Sequence, residues 1–79
     1  MNYFVRTMET HKESKRIFSE EVPCSGLNEA REEAKRIVLT SRPQLMVQAD
    51  ACFRNKARVW TNYRCWINER GEFQERALR

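Results

Sequence analysis

The chain has 79 residues, a formal charge of +4, three cysteines and only two glycines. That length supports one modest core, burying roughly 60–65% of the surface the unfolded chain exposes, and leaves little room for a deep substrate cleft. No apolar run approaches the about 18 residues of a membrane span, no leader-like apolar segment opens the chain, and three widely spaced cysteines cannot all pair with one another; these argue against a transmembrane helix and a secreted disulfide framework and predict an unprocessed cytoplasmic chain with reduced thiols.

Residues 2–9 (NYFVRTME) read as a strand, with Tyr3, Val5 and Thr7 on one side and Phe4, Arg6 and Met8 on the other. A polar connection through His11 leads to a weaker strand over 15–22, ended by Pro23-Cys24-Ser25-Gly26. Ser25 is the expected N-cap of a helix over about 26–41. Its apolar stripe is Leu27, Ala30, Ala34, Ile37, Val38 and Ser41. Glu29, Glu32 and Glu33 lie in the first half and Lys35 and Arg36 follow, the order a helix dipole favours. Pro43 stops the helix and biases Arg42 toward an extended conformation.

Residues 44–54 and 57–68 read as the arms of a hairpin. The odd positions, Leu45, Val47, Ala49, Ala51 and Phe53, then Ala57, Val59, Thr61, Tyr63, Cys65 and Ile67, form one apolar face. The even positions of the second arm are Arg58, Trp60, Asn62, Arg64, Trp66 and Asn68; those of the first include Gln48, Asp50, Cys52 and Arg54. A three-residue loop, Asn55-Lys56-Ala57, sets Phe53 against Val59, Val47 against Cys65 and Leu45 against Ile67. On the other side it sets Cys52 against Trp60, Gln48 against Arg64 and Met46 against Trp66. A loop one residue shorter would pair the wrong faces. Asn68-Glu69-Arg70-Gly71 is a turn, and residues 74–79 read as a frayed polar tail. The expected architecture is thus a single α+β domain over 1–79: ββαββ, a four-stranded antiparallel sheet with one helix on its apolar face, over Val47, Ala49, Ala51, Val59 and Tyr63.

No catalytic constellation emerges. His11 is the only histidine, sits in a charged loop, and has no local group to fix it beside a nucleophile. Cys24 precedes a helix N-terminus but has neither a Cys-X-X-Cys partner nor a base, and reads as a packing residue at the helix entry. Cys65 falls on the core face. Cys24, Cys52, Cys65 and His11 lack the short spacings that build zinc sites. With only Gly26 and Gly71 there is no glycine-rich phosphate loop, and Glu20-Glu21 and Glu32-Glu33 read as solvated surface. The chain reads as a binding protein, not an enzyme, without metal or cofactor.

The charge is concentrated. Residues 1–41 hold seven Lys/Arg against seven Asp/Glu, and residues 42–79 hold eight against four, so the second half carries the whole +4. Arginine outnumbers lysine eleven to four, which suits phosphate, carboxylate and aromatic faces. Arginines interleaved with tryptophans are an unusual solvated face, because an indole is costly to leave in water. The expected partner-binding surface is therefore Arg54, Lys56, Arg58, Trp60, Asn62, Arg64 and Trp66, exposed and dispensable for stability. Two other uses of that face stay open: cover by the C-terminal tail through Phe73 and Leu78, and a homodimer.

The order of elements, the Glu33–Ile37 helix segment (Glu-Ala-Lys-Arg-Ile) and the Trp/Arg-rich C-terminal hairpin resemble small phage-encoded anti-CRISPR proteins. The resemblance covers the order of elements along most of the chain. It implies a non-catalytic inhibitor in the host cell cytoplasm. Such an inhibitor would dock through Arg54, Lys56, Arg58 and Arg64, or through the tryptophan face, on a host nucleoprotein complex. The crRNA-guided surveillance complex of type I systems, where target DNA would lie, is the example. Many such proteins are acidic DNA mimics, and the +4 charge departs from that pattern. The residues also fit an accessory protein that binds RNA or DNA directly, with Trp60 and Trp66 stacking on bases and the arginines on phosphates.

Overall fold

The computed structural model describes residues 2–9, 17–41 and 47–78. In chain order the elements are β1 (Tyr3–Glu9), β2 (Ile17–Cys24), α1 (Leu27–Thr40), β3 (Val47–Asn55), β4 (Arg58–Ile67) and β5 (Phe73–Ala77). The fold is α+β: one helix on one side of a five-stranded sheet of order β2-β1-β3-β4-β5, every neighbouring pair antiparallel. Because β2 and β3 both run antiparallel to β1, they point the same way, and α1 is the crossover that carries the chain over β1. The described residues include no helix long and apolar enough to cross a membrane.

The stripe read from the sequence is the buried side of α1. Ala30, Ala34 and Val38 are buried, four residues apart, and Leu27 and Ile37 pack beside them. Under them lie Val5, Cys24, Val47, Ala49, Ala51, Tyr63 and Cys65. Alanine on both surfaces lets the helix backbone approach β3 closely, so one turn-and-a-half of small residues seals the centre. The N-cap is Gly26, not Ser25. Ser25 lies one residue further out and donates both its N–H (2.9 Å) and its hydroxyl to the Glu29 carboxylate, which reaches back over the first turn. At the other end the Thr40 hydroxyl donates back to the Arg36 carbonyl (2.7 Å), and the Ser41 hydroxyl (2.8 Å) and N–H (3.3 Å) both donate to the Val38 carbonyl, closing the last turn.

Three expectations are corrected. The tail is not frayed: Phe73–Ala77 forms β5 along the outer edge of β4, making five strands where four were expected. Phe73 packs against the core, and the Tyr63 hydroxyl donates to Glu75 at 3.1 Å. The turn before β5 is as expected, built by Asn68, whose Oδ1 accepts the N–H groups of Arg70 (3.0 Å) and Glu72 (2.9 Å), with Gly71 at φ 79°. Second, the β3–β4 loop has two residues, Lys56 and Ala57, so Asn55 pairs with Arg58, Arg54 with Val59, Phe53 with Trp60 and Cys52 with Thr61. Lys56 takes a left-handed φ of 56° to close it.

Third, β4 then carries one extra residue, Asn62, and the register shifts so that Ala51 pairs with Tyr63, Ala49 with Cys65, Asp50 with Arg64 and Gln48 with Trp66. The shorter loop puts the strands one residue out of phase, and the bulge restores the phase. Apolar therefore meets apolar under the helix, as expected, but Val59 is not there: it lies across from Arg54 and is 39% exposed. The starts assigned to the second and third strands (15–16 and 44–46), the pairing of Leu45, the Arg42-Pro43 stop and the His11 connection lie outside the described residues.

Candidate functional site: the helix-free face of the sheet

Cross-strand neighbours share a face, so the register assigns each candidate residue. Tyr3 packs against the helix-side core and pairs with Phe53, which pairs with Trp60. The three rings form a ladder, with centroids 5.0 Å apart between Tyr3 and Phe53 and 6.0 Å between Phe53 and Trp60. Trp60 is thus on the helix side of the sheet, and Arg58, two residues earlier, shares that side. Beyond the bulge the alternation inverts: Cys65 faces the core, and Arg64 and Trp66 face away from the helix. The bulge at Asn62 therefore splits the interleaved Arg/Trp set into two halves on opposite faces. Lys56 is exposed at the turn, and the Asn62 carbonyl accepts the Leu78 N–H at 3.0 Å. The tail extends the sheet in its own plane and does not lie over the tryptophans.

The helix-free face is organised around one acid. Asp50 is 2% exposed and stands between Ala49 and Ala51 in the middle of β3. Its carboxylate accepts from Arg64 through Nε (2.9 Å) and Nη2 (3.2 Å), lies 3.5 Å from a guanidinium nitrogen of Arg6 on β1, and accepts from the Gln48 amide at 3.4 Å. Two arginines from the strands on either side hold a charge that β3 alone could not bury. The carboxylate raises the Arg64 pKa further above its ordinary value. Cys52, fully buried, lies one rung along; its thiol is 3.9 Å from the Thr61 hydroxyl, which also accepts from Arg6 (3.5 Å).

A second clamp crosses the face nearer β2. Arg54 donates to both Glu21 oxygens (2.8 and 3.0 Å), and its guanidinium carbon lies 4.6 Å from the centroid of the Phe4 ring, which is 5% exposed. The bridge roofs Phe4, and the hydrogen bonds from Arg54 hold the Glu21 carboxyl below its ordinary range. Arg54 is thus committed to structure. So is much of Arg64, which was expected to be dispensable.

Trp66 sits half-buried between Gln48 on β3 and Gln74 on β5, and Arg76 pairs with Arg64 on the next rung. Arg6, Asp50, Glu21, Gln48, Gln74 and Arg76 join this face without belonging to the surface expected from the sequence. One signal was present: an aspartate flanked by two alanines in a strand is out of place unless paired. All three cysteines are buried free thiols. Burial raises the Cys24 and Cys52 pKa values and pushes Cys65 up to about 11. No group of three metal-ligating side chains occurs among the described residues.

Comparison with protein-family models, with curated proteins and with solved structures finds no match to this chain.

Proposed function

We propose that the chain is a small non-catalytic binding protein that docks on a nucleoprotein complex through the helix-free face of its sheet. The observation that carries this reading is the content of that face. Among the described residues of that face, four arginines (Arg6, Arg54, Arg64, Arg76) stand against two acids (Glu21, Asp50), with a half-buried tryptophan among them and no described helix above. A net positive sheet face bearing an accessible indole suits a polyanionic surface, since charge steers the encounter and the ring supplies contact area. The docking set is accordingly Arg64, Trp66 and Arg76, joined by Gln48 and Gln74; Trp60 and Arg58 belong to the opposite side and lie outside it.

The likeness to phage-encoded inhibitors makes a purified type I crRNA-guided surveillance complex the first assembly to try. Binding to that complex should fall at least about tenfold in Trp66→Ala, the size of an anchor residue, and change little in Trp60→Ala. Loss in Trp60→Ala with binding retained in Trp66→Ala would overturn the assignment of the face. No binding of the unaltered protein would remove the surveillance complex as its partner.

A further inference from the structure

Arg64 and Arg76 stand directly opposite each other on β4 and β5. A like-charge cross-strand pair opposes folding unless something neutralises it. Asp50 answers only part of that charge: Arg64 gives it Nε and Nη2, while Arg76 is exposed and has no partner among the described residues. On the adjacent rung Trp66 pairs with Gln48 on one side and Gln74 on the other, and the Gln48 amide donates to Asp50 at 3.4 Å. Two residues along a strand span roughly 6.6 Å, the scale that separates a base from its own phosphate.

Resting on the reading of this face as the docking surface, we infer that these two rungs form a nucleotide subsite for single-stranded nucleic acid. A base stacks on Trp66, the amides of Gln48 and Gln74 lie at its edge, and a phosphate bridges Arg76 to the remaining Nη of Arg64. An acidic peptide would answer the arginines but brings no flat ring for the indole and no edge for two amides. A duplex would hide the faces of its bases from a flat sheet.

The test uses the full chain with Trp60→Phe, which leaves Trp66 as the sole tryptophan. Mixed-sequence RNA and DNA single strands of about 12 nucleotides are titrated by fluorescence from about 50 mM salt upward, with a polyglutamate peptide of equal charge in parallel. Both oligonucleotides should quench Trp66, and their ratio separates RNA from DNA as the natural ligand; polyglutamate should neither quench nor compete. Arg76→Ala, a change at an exposed edge-strand position, should weaken binding severalfold and reduce the slope of log K against log salt by about 0.7. Trp66→Leu, followed by anisotropy of a labelled strand, should weaken binding about tenfold and leave the slope unchanged.

Absence of oligonucleotide binding at the lowest salt, an Arg76→Ala slope equal to that of the parent, or equal competition by polyglutamate would each overturn the subsite. If oligonucleotides fail while the intact complex still binds with dependence on Trp66, the nucleotide inference falls and the docking face stands. If neither binds, the subsite falls and the surveillance complex is removed as the partner.

Discussion

Asp50 and Val59 show how single positions divide structure from surface. Removing Arg64 leaves a carboxylate that is 3% exposed with only Arg6 at 3.5 Å and Gln48 at 3.4 Å. Arg64→Ala should therefore cost about 2–3 kcal/mol, because a buried charge loses its bidentate donor. In a chain of this size that corresponds to a fall of roughly 10–20 °C in Tm, read by thermal circular dichroism. An unchanged Tm would return Arg64 to the freely exposed role its sequence position suggested. Val47→Asp and Val59→Asp, which alternation alone places together in the core, should separate. Val47 is 5% exposed beneath the helix, and an unpaired carboxylate there costs several kcal/mol out of a total of roughly 5–10. Val59 is 39% exposed opposite Arg54, and its substitution should stay within about 0.5 kcal/mol. Urea titration of both variants checks this, and equal loss would contradict the observed register.

At the scale of elements, the sequence was most legible where periodicity was longest. The apolar spacing of α1 names its buried residues, and the odd positions Val47, Ala49, Ala51, Tyr63 and Cys65 name the sheet surface they meet. Phe4 and Met8, buried on the opposite side of β1, are also an even-numbered pair in the sequence. What escaped was set by single-residue offsets. Strand period is two, so a loop shorter by one residue and a bulge at Asn62 cancel under the helix yet exchange the faces of Trp60 and Val59. Alternation carries no trace of such a pair of shifts.

β5 escaped for another reason. Gln74, Glu75 and Arg76 have little strand propensity, and the segment is held by β4, Phe73 and the Tyr63–Glu75 hydrogen bond, all nonlocal. Truncation after Glu72 therefore tests whether this strand belongs to the fold. The shortened chain should lose several degrees of Tm or more, and light scattering should detect self-association, because the bared edge of β4 carries Trp66 and Ile67. A truncated chain that melts like the parent and stays monomeric would make β5 a dispensable appendage.

Over the whole molecule, titration bounds the pH range of stability on both sides. Glu21, Glu29 and Glu33 titrate lower in the fold than their ordinary 4.5, held by Arg54, Ser25 and Arg36 respectively. Their support is present above about pH 4.5 and drains away as pH falls through their folded values. Cys65 moves the other way, from 9.0 to about 11, because burial disfavours its thiolate; Tyr63, buried beside it, is raised as well. Support from Cys65 is complete below pH 9.0 and is lost between that value and about 11. Chemical denaturation across pH should show a plateau that falls away on both sides. In parallel, thiol titration at pH 8 should find three thiols in denaturant and almost none reacting promptly in the native protein, since all three are buried. One titratable thiol in denaturant, or an alkaline limb that begins well below pH 9.0, would contradict this environment.

One arginine–tryptophan pattern is divided between two faces of the sheet, and the pairing of β3 with β4 reports that division directly. Interstrand nuclear Overhauser effects across the hairpin should connect the Phe53 and Trp60 rings, Cys52 with Thr61, and Gln48 with Trp66, as the register requires. Contacts linking Phe53 to Val59 and Cys52 to Trp60 would instead mean a three-residue loop with no bulge. Both tryptophans would then share one face, and the separation of Trp66 from Trp60 would be wrong.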